Sequence, residues 1–174
     1  PTAAGRSACC WAPCRMVHLP PLGLSIHVPW CVQKCPYCDF NSHALKGEVP
    51  HEEYVQHLLN DLDADLPLTA GREVSTIFIG GGTPSLLSSA AMQMLLDGVR
   101  ARLPLSATAE ITMEAHPAPV EAASFSAHQR AGGTRISIGL QSHRPHKSAR
   151  FARLHGPAED QKSVLAANSV AFYG

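Results

Sequence analysis

Strand-like and helix-like segments alternate along the chain, and this alternation constrains the fold more than any other feature. Residues 24–30, Leu24-Ser25-Ile26-His27-Val28-Pro29-Trp30, read as a first strand. Tyr54, Val55, Leu58, Leu59, Leu62 and Leu66 then share one face of a helix, with Glu52 and Glu53 at its positive amino end. The run Ser75-Thr76-Ile77-Phe78-Ile79 reads as a strand of the buried parallel type, and Met92, Leu95, Leu96, Val99 and Leu103 mark the helix after it. Residues 110–114 and 135–140 read as third and fourth strands, with a helix between Pro119 and Ala131. Successive βα units pair their strands in parallel through right-handed crossovers, so the fold class is α/β.

Parallel folds place their chemistry at the carboxyl ends of the strands. Each such end here carries a marked polar group. After the first strand come Cys31, Cys35 and Cys38 as C-x-x-x-C-x-x-C; after the second comes Gly80-Gly81-Gly82-Thr83-Pro84-Ser85. The third ends at Glu114, and Gln141 follows the fourth. Three thiolates on one short loop can hold three irons of a cubane and leave the fourth open to a small molecule, whereas a fourth protein ligand would leave mainly an electron carrier. A lone C-x-x-C such as Cys35-Pro36-Tyr37-Cys38 would instead suggest a redox or zinc pair. The convergence of four strand ends favours the cluster.

Composition excludes several classes. With 174 residues, 45% of them hydrophobic, the chain suits one soluble globular domain. Formal charge is zero and the basic residues form no stripe interleaved with aromatics, so nucleic-acid binding is not expected. No apolar stretch approaches the roughly 20 residues that span a bilayer. Of six cysteines, Cys9, Cys10 and Cys14 lie in residues 1–15, a stretch of small residues and proline without periodic pattern, and read as passive. The metal-type spacing of the other three argues against a disulfide framework and points to a reducing, cytoplasmic setting. No acidic residue precedes Asp39, and Met16 is the first methionine. We expect residues 1–15 to be a disordered, non-native extension and residues 16–174 to form the domain.

The same residues carry a resemblance. Cys31-x3-Cys35-x-Tyr37-Cys38 with the downstream Gly80 to Ser85 motif is similar to the radical S-adenosylmethionine superfamily. Within it, Ile26-His27-Val28-Pro29-Trp30-Cys31, Cys35-Pro36-Tyr37-Cys38-Asp39-Phe40-Asn41-Ser42-His43, Ile77-Phe78-Ile79 before the glycines, and His155-Gly156-Pro157-Ala158-Glu159 resemble the oxygen-independent coproporphyrinogen III oxidase family, specifically its HemW branch. The resemblance implies a partial (β/α) radical SAM barrel in which Cys31, Cys35 and Cys38 ligate a [4Fe-4S] cluster. S-adenosylmethionine would chelate the open iron through its amino and carboxylate groups, and one electron, from a donor such as a flavodoxin-type protein, would break the sulfonium to give a 5'-deoxyadenosyl radical. It implies further that Gly81, Gly82 and Thr83 let backbone groups approach the methionyl portion, that Glu114 and Gln141 contact the cofactor, that Arg153 pairs with its carboxylate, and that Tyr37 packs near the adenine. Asp39-Phe40 follows the third cysteine where the oxidases continue Gly-Cys, which favours the HemW branch, regarded as heme chaperones. Oxidative decarboxylation in porphyrin synthesis is the second reading.

Each residue also has a plainer reading. The glycines could form a tight turn, Glu114 could be salt-bridged, Gln141 could satisfy stray backbone donors, and Arg153 could be solvated. Cys31, Cys35 and Cys38 with His43 could form a structural zinc site, which leaves the glycines and Glu114 unexplained. His27 and His43 otherwise read as structural. Against the family pattern, Ser25 stands where tyrosine is usual, His116 where asparagine is, Ala118-Pro119 where Gly-Thr is, and Gly133 where a β-branched residue is. Residues 143–153 carry Arg144, Lys147, Arg150 and Arg153 but no acid, and residues 161–174 lack the expected strand. The superfamily's partial barrel has about six βα units, and about four are legible here. We therefore expect a truncated barrel, without the heme-associated C-terminal domain, in which cluster binding survives better than turnover.

Overall fold

The computed structural model describes residues 19–116, 121–140, 142 and 157–169. Gln141, Arg153 and residues 1–15 lie outside them. The chain runs β1 (Leu22–Val28), β2 (Trp30–Cys31), β3 (His43–Ala44), α1 (His51–Thr69), β4 (Val74–Gly81), a short 3-10 turn (Pro84–Leu86), α2 (Ser89–Arg102), β5 (Leu105–Ala115), α3 (Glu121–Arg130), β6 (Arg135–Ile138) and α4 (Pro157–Ser169). β1, β4, β5 and β6 form one parallel sheet in the order β1-β4-β5-β6. This is the α/β architecture that the alternating pattern predicts.

Strand register explains why one face is packed and the other is free for chemistry. Ile26 pairs with Ile79, Ile77 with Ile111 and Ile79 with Met113, so one apolar layer crosses the sheet. Against it lie Val55 and Leu59 of α1, Met92, Leu95, Leu96 and Val99 of α2, Phe125 of α3 and Ala167 of α4, all buried in one core. Each large apolar chain taken fully out of water there contributes about 1.5–3 kcal/mol. By the two-residue period of strands, Ser25, His27, Thr76, Phe78, Glu110, Glu114 and Ser137 fall on the opposite face. The run 75–79 reads in sequence as a strand of the buried type; in the structure it alternates, and Phe78 is 42% exposed.

Local chemistry sets the element ends. Ser88 caps α2, its Oγ accepting from the Ala91 amide at 3.2 Å. α1 begins with Glu52 and Glu53 in its first turn and closes on Ala70 in the left-handed region at φ 52°. A bidentate pair from Arg102 to Asp63, 2.7 and 3.0 Å, fastens α2 to α1. Two boundaries differ from the sequence reading. The first strand stops at Val28, because Pro29 has no amide to donate, and Trp30–Cys31 pairs instead with His43–Ala44. β5 begins at Leu105, earlier than the apolar run suggested. Within residues 161–174, where no strand was legible, the structure has the body of α4.

Candidate cofactor site

The cysteine loop leaves the carboxyl end of β1 and is closed at its base by backbone bonds. His43 N donates to Pro29 O at 2.7 Å and Leu45 N to Cys31 O at 2.8 Å, while Cys38 N donates to Cys35 O at 3.0 Å within the loop. The glycine turn at the end of β4 is stitched to the same strand end: Gly82 N donates to Val28 O and Thr83 N to Trp30 O, both at 2.6 Å. These bonds bring the two motifs, about fifty residues apart in sequence, onto one rim.

The glycines are required by close approach. Gly81 has φ +112°, and a Cβ there would lie 2.6 Å from the His27 ring. A Cβ on Gly80 would lie 2.7 Å from Glu114 Oε2. At Gly82 the space is already held by the backbone of Trp30, so this glycine lets the turn and the cysteine loop touch. Glu114 Oε2 accepts from the Gly81 amide at 3.1 Å, which fixes the turn to β5.

An open cavity of about 160 Å³ results, and Cys31, Cys35, Cys38, Tyr37, Gly81, Gly82 and Glu114 all line it. The sequence reading named each of these. Thr83 is 3% exposed at the same turn, and the described residues give its buried Oγ1 no hydrogen-bond partner. Phe40, His116 and Ser137 also line the cavity without having been singled out as site residues; the period of two along β6 is the signal that could have found Ser137. Gln141 and Arg153 fall outside the described residues.

Supporting contacts hold the rim from behind. His27 Nε2 bonds the Asn41 carbonyl at 2.8 Å, joining β1 to the far end of the cysteine loop. Tyr54 Oη donates to His27 O at 2.7 Å, and its ring meets Trp30 edge-on at 4.4 Å between centroids. Burial raises the Tyr54 pKa, so it stays a neutral donor. Sequence reasoning gave Tyr54 only as a core position.

The donor set fits an iron–sulfur cubane. All three thiols are free and face one cavity, Cys31 buried and the others partly so. Among the described residues no group of three or more His, Cys, Asp and Glu side chains is gathered closely enough for a single metal ion. His43 does not line the cavity: it lines a separate hollow with Lys34, Lys46 and Glu48. Its Nε2 bonds Asn41 Oδ1 at 3.2 Å.

Comparison with known proteins gives the family and the fold. The sequence pattern described as "Radical SAM superfamily" matches residues 25–170. The chain is 68% identical over 157 residues to "Heme chaperone HemW" of Escherichia coli (strain K12), covering 90% of this chain and 42% of that protein. It is 48% identical over 153 residues to "Heme chaperone HemW" of Haemophilus influenzae, covering 86% of this chain and 40% of that protein. The chain thus spans about two fifths of the length of these curated relatives. Among solved structures, the radical SAM enzyme coproporphyrinogen III oxidase (HemN) from Escherichia coli superposes with a TM-score of 0.79 at 28% identity, over 87% of this chain and 35% of that one. With its parallel sheet, its converging cysteine and glycine motifs and this match over most of its length, the chain belongs to the radical SAM superfamily.

Proposed function

We propose that Cys31, Cys35 and Cys38 hold a [4Fe-4S] cluster and that S-adenosylmethionine binds beside it, between the glycine turn and Glu114. The observation that carries this reading is the facing of three reduced sulfurs and the Glu114–Gly81 pair across one cavity. When bound, the two cofactors supply one-electron reductive cleavage of a sulfonium. The chain's own residues bind, orient and exclude water. Glu114 holds the Gly81 amide with one oxygen and keeps the other for the ammonium group of the ligand. Tyr37, 47% exposed at the rim, offers a ring face to the adenine. The buried Thr83 hydroxyl awaits a polar partner. Gln141 and Arg153 complete the contacts by resemblance, and residues 16–174 form the cofactor-binding domain.

For the whole protein we infer heme handling in a cytoplasmic setting, with a flavodoxin-type electron donor. Support comes from relatives named as heme chaperones at up to 68% identity. Oxidative decarboxylation of a porphyrinogen is the second reading, supported by the likeness to coproporphyrinogen III oxidase at the lower identity of 28%. Anaerobic reconstitution with iron and sulfide tests the site: a brown protein with about four irons per chain is expected, and Cys35→Ala should lose it. Tight stoichiometric zinc without iron uptake would contradict the reading. Incubation of the cluster-loaded whole protein, extended to the length of its relatives, with heme and with coproporphyrinogen III separates the two activities. Retention of heme without decarboxylation is expected; decarboxylation would favour the oxidase.

A further inference from the structure

Ser42 closes the cysteine loop in a way that its place in the sequence does not explain. It is fully buried, at 0% exposure, and its Oγ lies 3.7 Å from Cys38 Sγ and 3.5 Å from the Phe40 carbonyl. A buried hydroxyl must give its single proton to one acceptor. The Phe40 carbonyl is already served, because Ser42 N donates to it at 2.7 Å and Lys34 Nζ at 3.2 Å, which fills both its lone pairs. The contact at 3.5 Å is also at the edge of what counts as a hydrogen bond between oxygens. The sulfur is the better acceptor, and more so as a thiolate, since bonds to an ionised partner are about twice as strong as neutral ones.

We propose that Ser42 is a positioning residue that acts through Cys38: its hydroxyl donates to the ligand sulfur and sets how readily a cluster held there accepts an electron. This rests on the cluster reading above. Hydrogen bonds to the sulfurs are among the factors that fix the potential of an iron–sulfur centre. The sign follows from charge. Reduction adds an electron whose density is shared by the ligand sulfurs, so a donor to Cys38 stabilises the reduced form more than the oxidised one. In the parent protein the potential is therefore raised, which eases electron uptake from a low-potential reductant, itself oxidised by one electron.

The test is an anaerobic redox titration of the reconstituted full chain, followed by the electron paramagnetic resonance signal of the reduced cluster. Ser42→Ala should weaken the reduced form about tenfold relative to the oxidised one, a fall of about 59 mV for one electron. Ser42→Thr, which keeps the hydroxyl, should return most of it. An unchanged potential in Ser42→Ala with iron content intact overturns the inference and leaves the cluster reading standing. A fall of equal size in Ser42→Thr also overturns it, because the hydroxyl would not be the agent. Absence of a cluster from the parent protein overturns both. Should Ser42→Ala take up no iron, resonance Raman spectra of the parent in water and in deuterium oxide decide. A shift in the iron–thiolate stretch that persists in Ser42→Thr supports the bond, and no shift overturns it.

Discussion

Gly81 and His27 cannot be exchanged independently. The backbone of Gly81, at φ +112°, is one that side chains rarely adopt, and the His27 ring fills the place of its missing Cβ. Gly81→Ala should therefore cost about 1–3 kcal/mol, seen as a lower midpoint of urea unfolding, and should lower iron retention by displacing the Glu114 bond. A second close fit lies away from the site. The ring of buried His128 occupies the space a Cβ on Gly133 would need, which accounts for glycine where the family pattern has a β-branched residue. Burial holds the His128 pKa below its ordinary value, against the opposing effect of bonds to the Ile111 and Arg135 backbone. The depressed imidazole contributes stability that is complete above the unfolded value of about pH 6.5. That contribution is lost as pH falls toward the folded value, where the unfolded chain takes up a proton that the folded chain resists. Unfolding free energies compared at about pH 7.5 and about pH 5 should drop less in His128→Gln than in the parent. The cysteines, the glycines and Glu114 were legible at this scale because each is announced by neighbours in the chain. His27 was legible only as structural and Tyr54 only as a helix-face residue, and the part played by Ser42 was not legible, since their partners are set by the packing of separate segments.

The alternation of strand-like and helix-like segments was enough to place all four long strands and, by the period of their buried faces, the first two helices; the third was placed only between Pro119 and Ala131. What it could not give is which side of a strand faces open space. Phe78 shows this: it continues an apolar run in sequence but stands on the uncovered face beside Thr76. The short pairing of Trp30–Cys31 with His43–Ala44 was also hidden, since two residues carry no period at all. α4 was missed because its apolar residues are few and alanine-rich. Capping was readable in principle, as Ser88 stands just before the periodic stretch of α2. Ser88→Ala should destabilise the protein by about 1 kcal/mol, measured by thermal or urea unfolding, because the Ala91 amide then loses its acceptor. A change near zero would mean that water replaces the cap without cost.

At the scale of the molecule, one sheet face is sealed by helices and the other carries His27, Thr76, Glu110 and Glu114. The division follows from the sequence period, and the chemistry follows from the division. Glu110 pairs with Arg135 across strands at 3.2 Å and accepts from Thr112 at 3.1 Å, so the polar face is partly self-satisfied, while the rim between cysteines and glycines keeps an open cavity. No helix among the described residues is long and apolar enough to cross a membrane. The account turns on whether that rim presents a cubane with one iron free for a sulfonium ligand. Electron paramagnetic resonance of the reduced, reconstituted chain, recorded before and after adding S-adenosylmethionine, tests it most directly. The account predicts a cluster signal that shifts on addition of the ligand and is lost in Cys35→Ala. A signal that ignores the ligand, or that persists without Cys35, would contradict it.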